Sequence, residues 1–362
     1  MCTSHALQLD QTKTDAFAQK MLDVMNGAGL ALMISVGHRT GLFDIMAELP
    51  PVTSERLAEK AGLSERYVRE WLGAMTTGGI VEFAPESKLY RLPAEHAAWL
   101  TRKASPNNMA VSAQWVAVLG YVEDHIVQAF HHGRGVPYSA YNRFHEVMAE
   151  ESMQSVVAGL QEHILPLVPG LAERLARGID VLDVGCGSGR AMIHLAEAFP
   201  NSRFQGFDAS EEAVAAATAE ACRRGLTNVR FAAKDLATMQ ESQAFDLITA
   251  FDAIHDQARP AEVLENIARA LRPDGTFLMQ DISGSGHLHH DVEHPVGTFL
   301  YTISCMHCMS VSLANGGPGL GAMWGKTKAL EMLAAGGFGD VRVESLEHDP
   351  LNFWYIAGVA GR

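Results

Sequence analysis

The segment Val181-Leu-Asp-Val-Gly-Cys-Gly-Ser-Gly-Arg190 constrains this chain more than any other. A short apolar run carrying one carboxylate breaks into glycines at every second position, and an Ala-rich amphipathic pattern follows. That order predicts a strand, a tight turn and a helix start, which brings bare backbone N–H groups up to a ligand. Gly185, Gly187 and Gly189 permit positive φ and put no side chain between backbone and ligand. Asp183, near the end of the strand, can fix the turn or accept a hydrogen bond from a bound cation or hydroxyl. The spacing is D-x-G-x-G-x-G, without the third glycine of the nicotinamide fingerprint.

The residues that follow repeat one rhythm. Phe204-Gln-Gly-Phe-Asp208 and Asn228 to Asp235 read as strands that end in an acid, and Ala244 to Phe251 as an almost wholly apolar strand buried on both faces. Leu271-Arg-Pro-Asp-Gly-Thr-Phe-Leu-Met-Gln-Asp281 reads as a helix stop, a turn and a further strand. Helical patterns at 191–198, 211–224 and 260–271 separate them. Strand alternating with helix predicts a parallel sheet with its ligand at the strands' C-terminal ends. An acid at 208, on the strand beside the glycine turn, suits a ribose diol.

The glycine turn, Asp208, Asp235 and the L-R-P-D-G-T-F element occur here in the order seen in class I S-adenosylmethionine-dependent methyltransferases, which residues 176–362 resemble. The resemblance implies an α/β fold with a Rossmann-like seven-stranded sheet closed by a reversed hairpin, here 340–346 and 352–359 after a helix at 326–335. It implies S-adenosylmethionine as cofactor, with Gly185, Gly187 and Gly189 against its methionine part and Asp208 on its ribose. Asp235 and Leu236 would frame the adenine, and Asp183, Cys186 and Phe251 complete the expected cofactor set.

Residues 1–103 carry a different pattern. A long apolar helix over 17–36 precedes two short helices around Gly62, the first capped by Thr53 or Ser54 and the second by Ser64. Two short strands after Gly78 complete a winged helix-turn-helix. Arg66 and Arg69 permit a DNA reader, but Glu55, Glu59, Glu65 and Glu70 stand beside them, and the net charge is −14, with 42 acids against 28 bases. That balance disfavours phosphate neutralisation. In plant-type small-molecule O-methyltransferases, which this chain resembles in domain order, such a domain pairs two subunits; the resemblance implies a homodimer. The 17–36 helix is also apolar on too many faces to stand alone. Residues 104–175 read as a helical bridge that lines the pocket. Five cysteines without paired spacing, a polar N-terminus without a leader pattern and no long apolar run point to the cytoplasm, with no membrane partner.

For chemistry, His255-Asp256 follows the fourth strand where the plant-type enzymes place a His-Asp pair, and the resemblance implies that His255 is the general base, with Asp256 beside it. Those enzymes carry a Trp shortly after; here Gln257 and Ala258 follow, so the acceptor need not be a phenol. A small molecule methylated on oxygen is the first expectation, a thiol or sulfide the second, and a DNA-binding regulator that senses a ligand the third. His294, His307, Met323 and Trp324 are the candidate substrate contacts, the last two on a Gly-rich segment (315–325) expected to act as a mobile lid. His and Cys residues at 287–294 and 305–308 permit a metal, but lack a second Cys pair, so none is expected.

Overall fold

A computed structural model describes residues 9–361, which form two compact units divided between Ala117 and Val118. The polar N-terminal stretch and Cys2 lie outside the described residues. The expected bridge at 104–175 contributes to both units.

In the first unit, α1 runs over Gln11–Thr40, capped at its start by the Asp10 carboxylate, which accepts from the Lys13 N–H. α2 (Leu42–Glu48), α3 (Ser54–Ala61) and α4 (Glu65–Thr77) follow, then a hairpin of β1 (Glu82–Ala84) and β2 (Leu89–Arg91). Thr53 is the cap of α3; the Ser54 hydroxyl instead donates to Glu65 of α4 at 2.7 Å, tying the two helices together, and Ser64 makes no side-chain cap. Phe43, Leu57, Val68, Trp71, Leu72 and Met75 form the core of this winged helix. The N-terminal two-thirds of α1 lies outside that core, with Phe17, Leu22, Val24 and Met25 more than half exposed within the chain.

The second unit is built on seven strands: β3 (Asp180–Val184), β4 (Arg203–Asp208), β5 (Val229–Ala233), β6 (Phe245–Phe251), β7 (Leu271–Ile282), β8 (Phe338–Leu346) and β9 (Asp349–Val359). Their order is β5-β4-β3-β6-β7-β9-β8, parallel through β7 and antiparallel in the final hairpin, as expected. Alternation decides the packing. Leu182, Ile248 and Phe277 face one hydrophobic layer with the helices Pro260–Ala270 and Lys326–Ala335, while Val181, Leu247 and Leu278 face the other with Leu171–Arg177 and Arg190–Ala198. With both faces covered, polar groups converge where the chain must turn, beyond the C-terminal ends of β3, β4, β6 and β7. Among the described residues no helix is long and apolar enough to cross a membrane.

Candidate active site

The turn after β3 is held in the left-handed region at all three expected glycines, Gly185 (φ 72°), Gly187 (φ 50°) and Gly189 (φ 67°). Two of them are also required by space: a Cβ on Gly185 would lie 2.4 Å from Ala253, and one on Gly189 2.4 Å from the Phe231 ring. A Cβ on Gly187 would meet nothing within 4 Å, so this residue marks the open side of the turn. The N–H groups of Gly185 and Cys186 donate to the Phe207 carbonyl, and that of Gly187 donates to Asp208 Oδ2 at 2.8 Å. Asp208 Oδ1 accepts from the Ser210 N–H at 2.8 Å. The acid at the tip of β4 is thus fixed between the glycine turn and the next helix, half-buried and presenting a rigid carboxylate.

Asp183 lies deeper. It is 3 % exposed, and its Oδ1 accepts from the Thr249 hydroxyl of β6 at 2.6 Å. Burial pushes its pKa up to about 7, opposed by the Thr249 hydrogen bond and assisted by the negative charge of Asp208. It therefore fixes β3 to β6 beneath the turn. The sign of the linked stability follows. Between about pH 4 and 7 the native chain keeps a proton that the unfolded chain has released, so stability falls as pH rises, by up to roughly 4 kcal/mol for a shift of this size. Asp183→Asn, which keeps the Thr249 contact, should gain stability on the wild type between pH 5 and pH 8; urea denaturation at the two pH values measures it, and an unchanged difference contradicts the assignment.

The remaining cofactor candidates occupy distinct surroundings. Asp235 is exposed, accepting from the Ala237 N–H at 3.0 Å and pairing with Arg259 at 2.6 Å. Leu236 is buried in the sheet's hydrophobic layer. Phe251 stands half-buried at the end of β6, edge-on to Trp354, and Cys186 is half-buried in the glycine turn.

His255, on the turn after β6, is 3 % exposed and clamped between two carboxylates. Its Nδ1 lies 2.8 Å from Asp281 Oδ1, at the end of β7, and its Nε2 lies 3.3 Å from Asp256 Oδ1. A carboxylate can only accept, so Nδ1 carries the proton shared with Asp281. Asp281 Oδ1 also accepts from Trp324 Nε1 and the Ile282 N–H, both at 2.9 Å. Burial disfavours the imidazolium, but Asp281 and Asp256 together outweigh it and hold the His255 pKa well above the usual histidine range. Asp256 Oδ2 accepts from the Tyr138 hydroxyl at 2.9 Å, and burial, reinforced by Asp256, keeps that phenol protonated.

The aromatic segment around Tyr138 roofs this centre. His145 Nε2 lies 3.1 Å from the Ser210 hydroxyl, next to Asp208, so one segment reaches both the β4 end and the β6 end. His307 stacks on Phe144 with ring centres 4.1 Å apart, and burial lowers its pKa to about 4. The neighbouring Cys308 is buried, which raises its thiol pKa to about 12.

The expected substrate contacts are not gathered in one place. His307 is in the buried centre. His294 lines a separate groove of about 910 Å³, with Phe130, His131, Tyr301, Cys305 and Met306. Met323 and Trp324 do not form an exposed flap: they are 6 % and 8 % exposed, with the Trp324 indole bonded to Asp281. Tyr138, bonded to Asp256, belongs to the aromatic residues of the 104–175 stretch expected to line the pocket, whereas Asp281, bonded to His255, was not singled out from the sequence. An acid at the end of β7, like those at or just past the ends of β4 and β5, was the available signal for Asp281.

Residues 28–102 match the Rv2258c-like winged HTH domain family, and residues 175–337 match a methyltransferase domain family. Over 101 residues the chain is 41% identical to nocamycin O-methyltransferase of Saccharothrix syringae, covering 27% of this chain and 36% of that protein. Over 121 residues it is 34% identical to a trans-aconitate 2-methyltransferase of an Acidovorax species, covering 33% and 45%. The chain thus spans less than half the length of these curated relatives. In fold it resembles human N-acetylserotonin methyltransferase in complex with SAM (TM-score 0.69, 18% identity, 99% of each chain). It also resembles mitomycin 7-O-methyltransferase (TM-score 0.66, 18% identity, 97% of this chain and 100% of that one). The chain therefore carries a winged helix-turn-helix domain followed by a methyltransferase domain.

Proposed function

We propose that this chain transfers a methyl group from S-adenosylmethionine to an oxygen of a small molecule. The observation that carries the reading is the convergence, at the C-terminal ends of β3, β4, β6 and β7, of the glycine turn, the pinned Asp208 carboxylate and the clamped His255. The residues fit the cofactor: Gly187 leaves the turn open on one side, and Asp208 offers a fixed acceptor for a diol. When bound, the sulfonium supplies an electrophilic methyl group. The protein's own tasks are to align the acceptor with that methyl and to take its proton. In its neutral form, populated as pH approaches its raised pKa, His255 takes the proton on Nε2, with Asp281 fixing the ring through Nδ1 and Asp256 stabilising the charge that results. Calorimetric titration with S-adenosylmethionine should show one site per chain; no binding would reject the proposal.

Oxygen is favoured as the acceptor atom by the O-methyltransferases among the relatives. The DNA-reading alternative is disfavoured by α4, where Arg66 pairs with Glu70 and Arg69 with Glu65, so the basic side chains are neutralised on their own helix. The unpaired state of all four described cysteines fits a reducing cytoplasm.

The winged-helix unit serves as a dimerisation module in this reading. A solvated helix exposing Phe17, Met21, Leu22, Val24 and Met25 is an apolar surface that a second subunit would cover. Light scattering at micromolar concentration should report a dimer, and Met25→Asp with Leu22→Asp should shift it to monomer; a wild-type chain found only as monomer contradicts this.

A further inference from the structure

We propose that Asp252, backed by Asp281, is the counter-ion of the α-ammonium on the cofactor's methionine end, so that the cofactor is selected by its charge as well as by its ribose. The inference rests on the S-adenosylmethionine reading above and gives it a binding residue that neither the glycine turn nor Asp208 supplies.

Asp252 follows β6 directly and stands between the two halves of the site. On one side is the glycine turn: a Cβ on Gly185 would lie 2.4 Å from the Cβ of Ala253, the next residue. On the other is the proton-accepting centre, where one carboxylate oxygen each from Asp252 and Asp281 and one ring nitrogen of His255 lie within 4.8 Å of one another. A cofactor whose methionine end lies on the turn and whose sulfur faces His255 must pass this carboxyl. The backbone holds it there at φ 50°, in the left-handed region, with the Asp252 N–H donating to the Gln280 carbonyl at 3.1 Å. Asp and Asn are among the few side chains that tolerate that conformation.

What the carboxyl lacks is a donor. Asp252 is half-buried, and its Oδ1 is enclosed without a hydrogen bond. Asp281 is wholly buried; its Oδ1 is taken by His255, Trp324 and the Ile282 N–H, while its Oδ2 has no donor either. An enclosed acceptor without a donor is costly unless a ligand brings one. Charge narrows the choice of ligand. Burial first, then the negative charges of Asp281 on β7, Asp349 at the start of β9 and Asp256 on the same turn, opposed by His255, hold the Asp252 pKa well above the usual carboxylate range. Among the described residues no Lys or Arg pairs with Asp252, Asp256 or Asp281. An ammonium brings both the N–H donors and the positive charge. The ribose hydroxyls bring no charge, and the sulfonium brings charge without an N–H. Because the carboxyl torsion of an Asp is broad, either Asp252 oxygen can meet the ligand.

Methylthioadenosine keeps the adenine, ribose and sulfur of S-adenosylhomocysteine and lacks its amino-acid end, so the two ligands together isolate the contact. In calorimetric titration of the full-length protein without acceptor, Asp252→Asn should weaken S-adenosylhomocysteine by roughly 10–100-fold, the scale of hydrogen bonds to a charged group. Methylthioadenosine should bind wild type and variant alike, with ligand-observed NMR extending the measurement to weak binding. Asp208→Ala, which removes the ribose contact, should weaken both ligands. Asparagine keeps the left-handed backbone; should Asp252→Asn still fail to fold, Asp252→Gly removes the carboxyl at the same φ and carries the same expectation. Unchanged S-adenosylhomocysteine affinity in the variant overturns the proposal, as does an equal loss for both ligands, which would mean that Asp252 only shapes the turn. The two readings fail separately. If the wild type binds neither ligand, the cofactor assignment falls and this one with it. If the wild type binds S-adenosylhomocysteine and Asp252→Asn binds it equally well, the cofactor stands and the carboxyl is left to an amine on the methyl acceptor.

Discussion

His255→Ala should lower methyl-transfer turnover by roughly 10²–10⁴-fold, the usual contribution of a positioned proton acceptor, while S-adenosylmethionine affinity stays within a few-fold of wild type. The two effects separate because none of the hydrogen bonds that shape the cofactor side involves His255; the glycine turn is held by Phe207 and Asp208. Stability needs a control. The ring sits between Asp281 and Asp256, and removing one partner of a buried charged pair costs about 3–5 kcal/mol. His255→Gln retains a side-chain donor for Asp281 and no imidazole, so it should recover the melting temperature but not the turnover. Stopped turnover with normal cofactor binding and a near-normal melt supports the role. A variant with wild-type turnover removes His255 from the chemistry. If turnover is restored only at alkaline pH, the acceptor ionises on its own, as a low-pKa thiol would, and the sulfur reading is preferred.

Asp208→Ala should weaken S-adenosylmethionine binding by about 2–4 kcal/mol, the scale of one or two hydrogen bonds to a charged acceptor. Two losses combine. The ribose hydroxyls lose their carboxylate, and the turn loses the bond from Gly187 N–H to Oδ2 that holds it in place. Asp208→Asn keeps one carbonyl oxygen and should fall between the two. Calorimetry measures both variants directly, and wild-type affinity in Asp208→Ala would show that the β4 acid does not touch the cofactor.

The fold was legible because the sheet is buried on both faces. Strands such as Phe245–Phe251 are nearly all apolar, helices separate them at regular intervals, and glycine or Pro-Asp-Gly marks the turns. The loop and its acids could be read for the same reason, since their local chemistry is written in consecutive residues. The partners of His255 could not. Asp281 is 26 residues away along the chain, and Tyr138 is 118 residues from Asp256, so only the folded topology brings them together.

The segment 315–325 misled in an instructive way. Its glycines suggested a mobile lid, whereas the structure uses several of them for close approach. A Cβ on Gly325 would lie 2.4 Å from the Gly286 nitrogen, and one on Gly321 2.3 Å from the Ser304 hydroxyl. Glycine there lets the chain press into the interior and deliver the Trp324 indole to Asp281. Similarly, His294 and His307 looked alike as sequence, but the π-helical segment Ser304–Cys308 turns Cys305 toward the groove that His294 lines and His307 into the buried centre.

A crystal structure with S-adenosylhomocysteine tests the central claim most directly. The account predicts the ligand along Gly185–Gly189, its ribose hydroxyls on Asp208 and its sulfur facing the His255–Asp256 centre. Its appearance instead in the groove between Phe130 and Tyr301, or a failure to bind at saturating concentration, would contradict that account.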